Sequence, residues 1–339
     1  MSNNLLRKGA TFVRGRRHLH TFREIVSAAS HAFEKMPFPS MIQIEPTTRC
    51  NFNCIACTRK TLTSSRLNKD LTLEEFKGIL KQIPAVKTIK LQGLGEPLLN
   101  PQLWQIVRYG RRRNTSFTAT SNGSLVSSKN VEKTLTYFSQ FCISFDSVVE
   151  KNFEEIRKGS DFFRILRILR ELVEKKKNIG SQTVLAVNFV ATHLNYGEIP
   201  MLFSLCNSIG IDEINIVEVE NWLIPSQDGY FPSLEFINRS RAASSTIRNF
   251  VKAYDGKAAL HFLSSDKRKM HCTWPFRNCF ITADGYVTPC CIRMDPTVFN
   301  FGNAFEIAFK DIWNSRQYRE FRKSVIQDTP NPVCDRCPN

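Results

Sequence analysis

Apolar segments of strand length alternate with amphipathic segments of helical length along the middle of the chain. The segment 71–83 has apolar residues at helical spacing, and Thr72 with Glu75 forms a capping-box pair at its start. Six other segments have the composition of β-strands, at residues 41–46, 86–93, 116–121, 141–146, 183–191 and 213–219. Further helical patterns separate these strands, at 101–113, 128–138, 161–178 and 196–209. This alternation predicts parallel βα units with right-handed crossovers.

Six units fall short of the eight that close a full barrel, so we expect an α/β fold with a partial (βα)6 barrel over residues 41–220. Sites in such sheets form beyond the carboxyl ends of the strands, in the loops that lead to the helices. The pattern changes near residue 220, where a linker with two prolines precedes a predicted helix at 235–254. We therefore expect a linker and helical connection over 221–270 and a small separate domain over 271–339.

Composition and charge exclude few classes of protein. The chain has 339 residues, 42% of them hydrophobic, which is enough for one large domain and a smaller one. No run approaches the roughly 18 to 20 apolar residues of a spanning helix, and the opening residues lack the apolar region of a secretory signal, which predicts a cytoplasmic protein. The net charge of +16 is compatible with nucleic acid, an anionic membrane surface or an acidic ligand, but no aromatic-studded nucleic-acid surface is evident. The basic segment 1–40, with a helix predicted near 21–35, is expected to pack on the barrel, and contact with an acidic surface is the alternative.

Most of the eleven cysteines lie in clusters. In a reducing compartment such clusters bind metal more often than they form structural disulfides. Cys142 and Cys206 stand alone in apolar runs, which predicts that they are core residues. Cys50, Cys54 and Cys57 follow the first predicted strand with the spacing C-x3-C-x2-C. A structural zinc site needs four protein ligands, whereas a four-iron cluster held by three thiolates keeps one iron open for another ligand.

This loop resembles the cysteine loop of the radical S-adenosylmethionine (radical SAM) enzymes, which has the same spacing after the first barrel strand. The resemblance implies that Cys50, Cys54 and Cys57 hold a 4Fe-4S cluster whose open iron binds the amino and carboxylate groups of S-adenosylmethionine. Many family members have an aromatic residue just before the third cysteine, where it borders the adenine. This chain has Ala56 at that position, which puts the adenine packing in question but not the cluster.

The ends of the next three predicted strands resemble further elements of the same family. The segment LQGLGEPLLNP (91–101) resembles the GGEP element, where the backbone and an acidic residue meet the methionine amino group. The resemblance assigns this role to Gly93, Gly95 and Glu96, because a turn without Cβ atoms lets a ligand approach and a carboxylate can accept from a cationic amine. The polar residues of TSNG and ISFDS complete the expected S-adenosylmethionine site: Ser121, Asn122, Ser144 and Asp146. An ordinary turn or capping role is the alternative for each element.

The C-terminal cysteines resemble the SPASM/twitch extension found in a subset of radical SAM enzymes. This resemblance implies that one auxiliary 4Fe-4S cluster is held by Cys272, Cys290, Cys334 and Cys337, and that the segment ADGYVTPC is a hairpin that aims Cys290 at the metal. The chain ends two residues after Cys337, so the single-cluster twitch form is expected. A structural zinc on the same four thiols is the alternative.

Five other residues have less definite interpretations. Cys279 and Cys291 are interpreted as buried bystanders, with substitution as a cluster ligand as the alternative. Asn188, Asn195 and Glu218 lie near the ends of the last two predicted strands, where they could contact a substrate. A capping or exposed position is the alternative for these three.

The resemblance implies that the enzyme cleaves S-adenosylmethionine to a 5′-deoxyadenosyl radical, which takes a hydrogen atom from an unactivated carbon. An auxiliary cluster favours a two-electron oxidation of a small polar substrate, such as a sugar, an aminosugar or an alcohol, and thus an oxidoreductase. The alternatives are redox-neutral dehydration or epimerisation, and modification of a peptide. A non-enzymatic metal-cluster protein that binds nucleic acid is disfavoured, because such a module needs no S-adenosylmethionine pocket. An electron donor such as flavodoxin or ferredoxin is the expected protein partner.

Overall fold

The computed structural model describes residues 36–219, 234–263, 272–327, 329 and 331–334. The helix predicted near 21–35, the linker at 220–233 and Cys337 lie outside these residues. No helix in the described part of the chain is both long and apolar enough to cross a bilayer.

Six strands occupy the predicted positions, and each pairs in parallel with the next one in chain order. The strands are β1 Met41–Ile44, β2 Thr88–Leu91, β3 Ser116–Ser121, β4 Gln140–Ser144, β5 Val184–Ala191 and β6 Glu213–Glu218. The helices between and beside them are α1 Leu73–Gln82, α2 Leu103–Arg111, α3 Val131–Tyr137, α4 Glu150–Ile156, α5 Phe162–Ile179 and α6 Ile199–Ile209. The partial barrel of parallel βα units is therefore confirmed.

Helix α1 begins with the predicted capping box. The Glu75 amide donates to Thr72 Oγ1 at 3.2 Å, and the Thr72 amide donates to Glu75 Oε2 at 2.7 Å. These two bonds provide acceptors for N–H groups that the first turn of a helix leaves without intrahelical partners.

The sheet is longer than the sequence predicts. In the described part of the chain, β7 Ala259–Leu263 extends it in parallel beyond β6, and β8 Asn278–Ile281 extends it in parallel beyond β1. The expectation of only linker and helix over 221–270 is therefore wrong. Strand β7 is a half-exposed edge strand, so its hydrophobic pattern is weak.

The single helix predicted at 235–254 is also wrong. Two helices occupy this range, α7 Leu234–Arg241 and α8 Ser244–Lys252. Near the end of α7 the Ser240 hydroxyl donates to the Phe236 carbonyl at 2.8 Å, a side-chain bond that often bends helices.

The C-terminal part of the chain packs on the open edge of the barrel at β1. Strand β8 and the short β9 Val287–Thr288 form the predicted antiparallel hairpin, with Gly285 at φ +90° in its turn. Around this hairpin lie the short helices α9 Trp274–Arg277 and α10 Phe309–Trp313 and the longer α11 Arg316–Ile326. Because β8 pairs with β1 over four residues, this part of the chain continues the barrel sheet.

The two faces of the sheet differ in polarity. The face toward the helices is apolar and buried, and its residues include Ile42, Ile44, Ile89, Leu91, Phe117, Ala119, Phe141, Ile143, Leu185, Val187, Ile214 and Ile216. Each such side chain contributes roughly 1.5–3 kcal/mol when fully buried. The opposite, inner face carries polar, mostly half-buried side chains that include Gln43, Lys90, Gln92, Thr120, Ser144, Asn188, Asn215 and His261. The fold thus places its core outside the sheet and a polar surface inside the barrel.

Two helical glycines predict opposite effects of the same substitution. A Cβ at Gly78 in α1 would have nothing within 4 Å, whereas a Cβ at Gly110 in α2 would overlap the buried Phe117 ring. We expect Gly78→Ala to stabilise the fold by about 0.5–1 kcal/mol through helix propensity, and Gly110→Ala to destabilise it by roughly 1–3 kcal/mol through overpacking. Urea unfolding followed by circular dichroism would measure both, and shifts of the same sign would contradict this account of the packing of α1 and α2.

Candidate functional site

The cysteine loop lies where the sequence predicts it, at the carboxyl end of β1. Cys50, Cys54 and Cys57 are half-buried free thiols. Two backbone hydrogen bonds join the loop to the residues that end α4 and follow it: Asn53 N donates to Lys158 O at 2.8 Å and Ile55 N to Ile156 O at 2.9 Å. The loop therefore has a fixed backbone shape beside the end of α4.

Each of the three sulfurs accepts an N–H. Phe52 N donates to Cys50 Sγ at 3.5 Å, and Arg59 N donates to Cys57 Sγ at 3.4 Å. Arg157 Nη1 donates to Cys54 Sγ at 3.9 Å. N–H groups aimed at sulfur stabilise the thiolate and are typical of the surroundings of metal-bound cysteine. The loop therefore has the donor set that anionic sulfur ligands need.

The three thiols lie close enough to affect one another electrostatically. The pKa of Cys54 is raised to about 11, because burial and the charges of Cys57, Asp146 and Cys50 outweigh the lowering effect of the Arg157 guanidinium. Among the residues described by the structure, no three His, Cys, Asp or Glu side chains are grouped closely enough to hold one metal ion. Thiolates of a 4Fe-4S cluster bind separate irons and stand wider apart. The C-x3-C-x2-C spacing and the N–H groups directed at the three sulfurs fit such a cluster.

The glycines of the GEP element make room for protein groups. A Cβ at Gly93 would overlap the Glu45 side chain, and a Cβ at Gly95 would overlap the backbone carbonyls of Thr47 and Arg49. A contact of their backbone with S-adenosylmethionine stays a prediction. The Glu96 amide donates to Arg49 O at 2.8 Å, so Gly95 lets the GEP loop lie directly on the cysteine loop.

Glu96 joins the ends of β2 and β3. Its buried carboxylate accepts from Ser121 Oγ at 2.7 Å, Asn122 N at 2.7 Å and Leu98 N at 3.1 Å. Burial raises the pKa of Glu96, and these hydrogen bonds lower it. Two carboxylate oxygens offer about four acceptor sites, so capacity remains for one more donor. A contact with the amino group of S-adenosylmethionine stays a prediction.

Asn122 connects this group to the cysteine loop. Its Nδ2 donates to Asn51 Oδ1 at 2.9 Å, and Asn51 Nδ2 donates to Ser124 Oγ at 2.9 Å. Asn51 directly follows Cys50. The structure therefore brings Glu96, Ser121 and Asn122 together beside the first cysteine.

Asp146 has both carboxylate oxygens engaged within the protein. Oδ2 pairs with Arg157 Nη2 at 2.6 Å, and Oδ1 accepts from Val190 N at 2.8 Å. A ribose contact for Asp146 stays a prediction, but the observed partners show that it holds Arg157. Ser144 is half-buried at the end of β4, opposite Asn188 in the parallel register.

The C-terminal cysteines form the second candidate metal site. Cys272, Cys290 and Cys334 are half-buried and form no disulfide with a described residue. Cys279 is completely buried in β8, which agrees with the bystander interpretation. Burial raises the pKa of Cys291 to about 12.

Buried polar atoms in this lobe fit an anionic group held by these cysteines. The Tyr318 hydroxyl and Arg322 Nη2 are buried and have no hydrogen-bond partner among the described residues. Burial raises the pKa of Tyr318 well above its usual value, and the thiols of Cys279, Cys290 and Cys272 raise it further. A buried donor without an acceptor is costly, so the lobe has unused donor capacity beside its cysteines.

Comparison with known protein families agrees with both cysteine sites. The profile of the radical SAM superfamily matches residues 44–203. This chain belongs to the radical SAM superfamily. A second profile, SPASM, described as an iron-sulfur cluster-binding domain, matches residues 272–338 and confirms the SPASM/twitch subgroup. The cofactors of this radical SAM enzyme are therefore S-adenosylmethionine, a 4Fe-4S cluster and an auxiliary iron-sulfur cluster.

Relatives of this radical SAM protein act on different substrates. A probable GTP 3′,8-cyclase of Methanocaldococcus jannaschii is 28% identical over 274 residues, covering 76% of this chain and 86% of that protein. The PqqA peptide cyclase of Gluconobacter oxydans is 24% identical over 317 residues, which cover 89% of this chain and 84% of that cyclase. Streptococcus suis SuiB, in a crystal structure with the precursor peptide SuiA, has a TM-score of 0.68 at 18% identity, covering 95% of this chain and 74% of SuiB. Likeness at that identity shows the fold alone.

Lys90 on the inner face of the sheet has an electrostatic effect on cysteines of both the barrel and the C-terminal lobe. Burial raises the pKa of Cys142 on β4 to about 12, and the Lys90 ammonium on β2 lowers it. The same ammonium lowers the pKa of Cys291, next to the predicted ligand Cys290. Lys90 therefore lies within electrostatic range of both the barrel interior and the auxiliary lobe.

The three candidate substrate residues have different surroundings. Asn195 is buried and holds a loop, since Nδ2 donates to Asp146 O at 2.5 Å and Oδ1 accepts from Thr192 N at 2.7 Å. Asn195 therefore braces this loop from within the protein, and a substrate contact stays a prediction. Asn188 lies on the inner face and accepts from Asn215 Nδ2 at 2.9 Å. Glu218 is buried at the end of β6.

Three charged residues of the site have no motif in the sequence. Arg157 reaches Cys54 from 103 positions away. Glu45 lies between β1 and Cys50 but belongs to no recognisable spacing. Arg66 pairs with Glu45 at 3.2 Å and with Asp284 at 3.3 Å, and 218 positions separate Arg66 from Asp284. Only the folded structure brings such pairs together.

The buried pair of Arg66 and Glu45 predicts a large effect of substitution. Arg66→Met should destabilise the protein by about 3–5 kcal/mol, because it leaves the Glu45 carboxylate buried without its cation. Arg316→Met is the matched control, since the Arg316–Glu320 pair is exposed and should contribute nothing measurable. Thermal unfolding of the reconstituted proteins would compare them, and equal melting temperatures would contradict a role for the buried pair.

Proposed function

We propose that this radical SAM enzyme takes a hydrogen atom from a small polar substrate in a two-electron oxidation that the auxiliary cluster assists. The reduced 4Fe-4S cluster and S-adenosylmethionine, when bound, supply the 5′-deoxyadenosyl radical. One observation carries the proposal: the inner face of the sheet is polar, and the same sheet continues through the pairing of β1 with β8 into the lobe that contains the auxiliary cysteines. A polar substrate on this face would lie between the two iron-sulfur sites.

The proposed ligands follow the two cysteine groups. Cys50, Cys54 and Cys57 would hold the first cluster, and the auxiliary cluster would be held by Cys272, Cys290, Cys334 and Cys337. The GEP loop and the end of β3 would bind S-adenosylmethionine, with Glu96 accepting from its amino group and the backbone of Gly93 and Gly95 beside it. The remaining proposed contacts are Ser121, Asn122, Ser144 and Asp146.

The chain's own residues would fix the geometry of the substrate. Half-buried amides and hydroxyls such as Gln92, Thr120 and Asn188 offer donors and acceptors that can match several hydroxyl groups at once. Thr120 Oγ1 donates to Gln92 Oε1 at 3.0 Å, so part of this surface is already oriented. Preorganised polar groups suit a sugar, an aminosugar or an alcohol better than an apolar molecule.

A peptide is the second candidate substrate. Two of the similar proteins are a peptide cyclase and a structure with a bound precursor peptide, which favours it. A cyclisation, a dehydration or an epimerisation would use the same radical. A non-enzymatic nucleic-acid-binding role has no support from membership of this superfamily. A flavodoxin or ferredoxin as electron donor and a cytoplasmic location remain predictions.

The cysteine assignments predict the metal content of variants. Reconstituted protein should contain about eight irons and little zinc, as two four-iron clusters require. Replacing Cys50, Cys54 and Cys57 by Ala should remove about four irons and abolish cleavage of S-adenosylmethionine, whereas Cys206→Ala, a core position in α6, should keep both. Cleavage at the wild-type rate in the triple variant would refute the radical assignment, and about four irons plus one zinc in the unmodified protein would remove only the auxiliary cluster.

The oxidation predicts the mass of the product. Anaerobic turnover with the small-molecule fraction of a cell extract should give a product two hydrogens lighter than its substrate, with substrate deuterium transferred to 5′-deoxyadenosine. A product lighter by one water would show a dehydratase, and an unchanged mass with solvent deuterium at one carbon would show an epimerase. Turnover with the peptide fraction alone would favour the second candidate.

A further inference from the structure

Arg157 connects a carboxylate at the end of β4 to a sulfur of the cysteine loop. Its side chain is 12% exposed, Nη2 pairs with Asp146 Oδ2 at 2.6 Å, and Nη1 donates to Cys54 Sγ at 3.9 Å. An ion pair with Asp146 alone explains one end of the guanidinium. The other end faces the thiol.

The backbone around Arg157 keeps this contact in place. The residues on both sides of Arg157 accept hydrogen bonds from the cysteine loop, Ile156 O from Ile55 N and Lys158 O from Asn53 N. The next residue, Gly159, has φ +95° and lies against the backbone of the same loop. The guanidinium therefore starts from a fixed position next to Cys54, and Asp146 fixes its far end.

We propose that Arg157 is a positioning residue that raises the reduction potential of the first cluster through Cys54, with Asp146 orienting its guanidinium. This inference rests on the proposed assignment of Cys54 as a cluster ligand. One-electron reduction adds a negative charge to the cluster and its sulfurs. A cation and an N–H donor at a ligand sulfur favour the reduced state, and burial keeps solvent from screening them.

The test is the potential of the first cluster in variants of the full, reconstituted protein. An anaerobic titration with dithionite, followed by electron paramagnetic resonance, reports the first cluster as the signal that S-adenosylmethionine perturbs. We expect Arg157→Gln to make the reduction potential of the first cluster more negative by about 59 mV. This shift corresponds to a roughly tenfold change in the one-electron equilibrium constant. Arg157→Lys keeps the charge but not the planar guanidinium. The cluster potential of this variant should therefore lie between those of the wild type and Arg157→Gln.

A matched control separates a local effect from the loss of one positive charge. Arg167 lies on the exposed side of α5, and Arg167→Gln changes the net charge equally. Because exposed charges are screened by salt, this variant should keep the wild-type potential. An equal shift in both Gln variants would contradict the proposal.

Other outcomes would overturn the inference. A wild-type potential in Arg157→Gln, with a raised KM for S-adenosylmethionine, would assign Arg157 to cofactor binding instead. If Arg157→Gln fails to retain the first cluster, a wild-type potential in Arg157→Lys would also refute the proposal. Failure of the underlying function is distinct, because it would show as full iron content and an S-adenosylmethionine-sensitive signal in Cys54→Ala.

Discussion

The Glu45 carboxylate is the constraint on which the rest of the site depends. It is fully buried directly after β1, and it accepts from Leu94 N at 2.8 Å in the GEP loop and from Ala283 N at 3.2 Å in the C-terminal hairpin. Arg66 supplies the cation that makes this burial tolerable, and burial still raises the pKa of Glu45. The Glu45 side chain therefore sets the relative position of the end of β1, the GEP loop and the C-terminal hairpin. The first and the last of these lead to predicted cysteine ligands. A Cβ at Gly93 would overlap this side chain.

This constraint explains how one sheet can hold two cysteine sites. The hairpin that leads to Cys290 begins with β8, and β8 pairs with the same strand that leads to Cys50. Hydrogen bonds of a parallel ladder fix the register of the two strands, and the Glu45 network fixes the loops beyond their ends. The spacing between the proposed clusters is thus set by β1 and its two flanking segments. A flexible linker between separate domains would leave that distance undefined.

Local and periodic features of the fold could be predicted from the sequence, and contacts between distant segments could not. The alternation of strands and helices, the Thr72 and Glu75 capping box and the hairpin at Gly285 depend on residues close together in the chain. Strand β7 was missed because an edge strand buries too little to show a pattern. Arg157 and Arg66 were missed because their partners lie 103 and 218 positions away. Asp146 was recognised as a site residue, but its hold on Arg157 required the structure.

Arg66, Arg157 and Arg322 differ in how their charge is compensated. Arg66 and Arg157 each pair with carboxylates, so the barrel site is electrostatically balanced by its own side chains. Arg322 is completely buried and has no ion pair with any described residue. It donates to two backbone carbonyls, those of Pro275 and Trp313. Its Cζ atom lies 4.2 Å from the ring centre of Trp313 and 4.1 Å from that of Tyr318. Burial lowers its pKa to about 10, which shows that these contacts replace hydration only in part. Carbonyl dipoles and aromatic faces thus hold the charge of Arg322, whereas carboxylates hold the charges of Arg66 and Arg157.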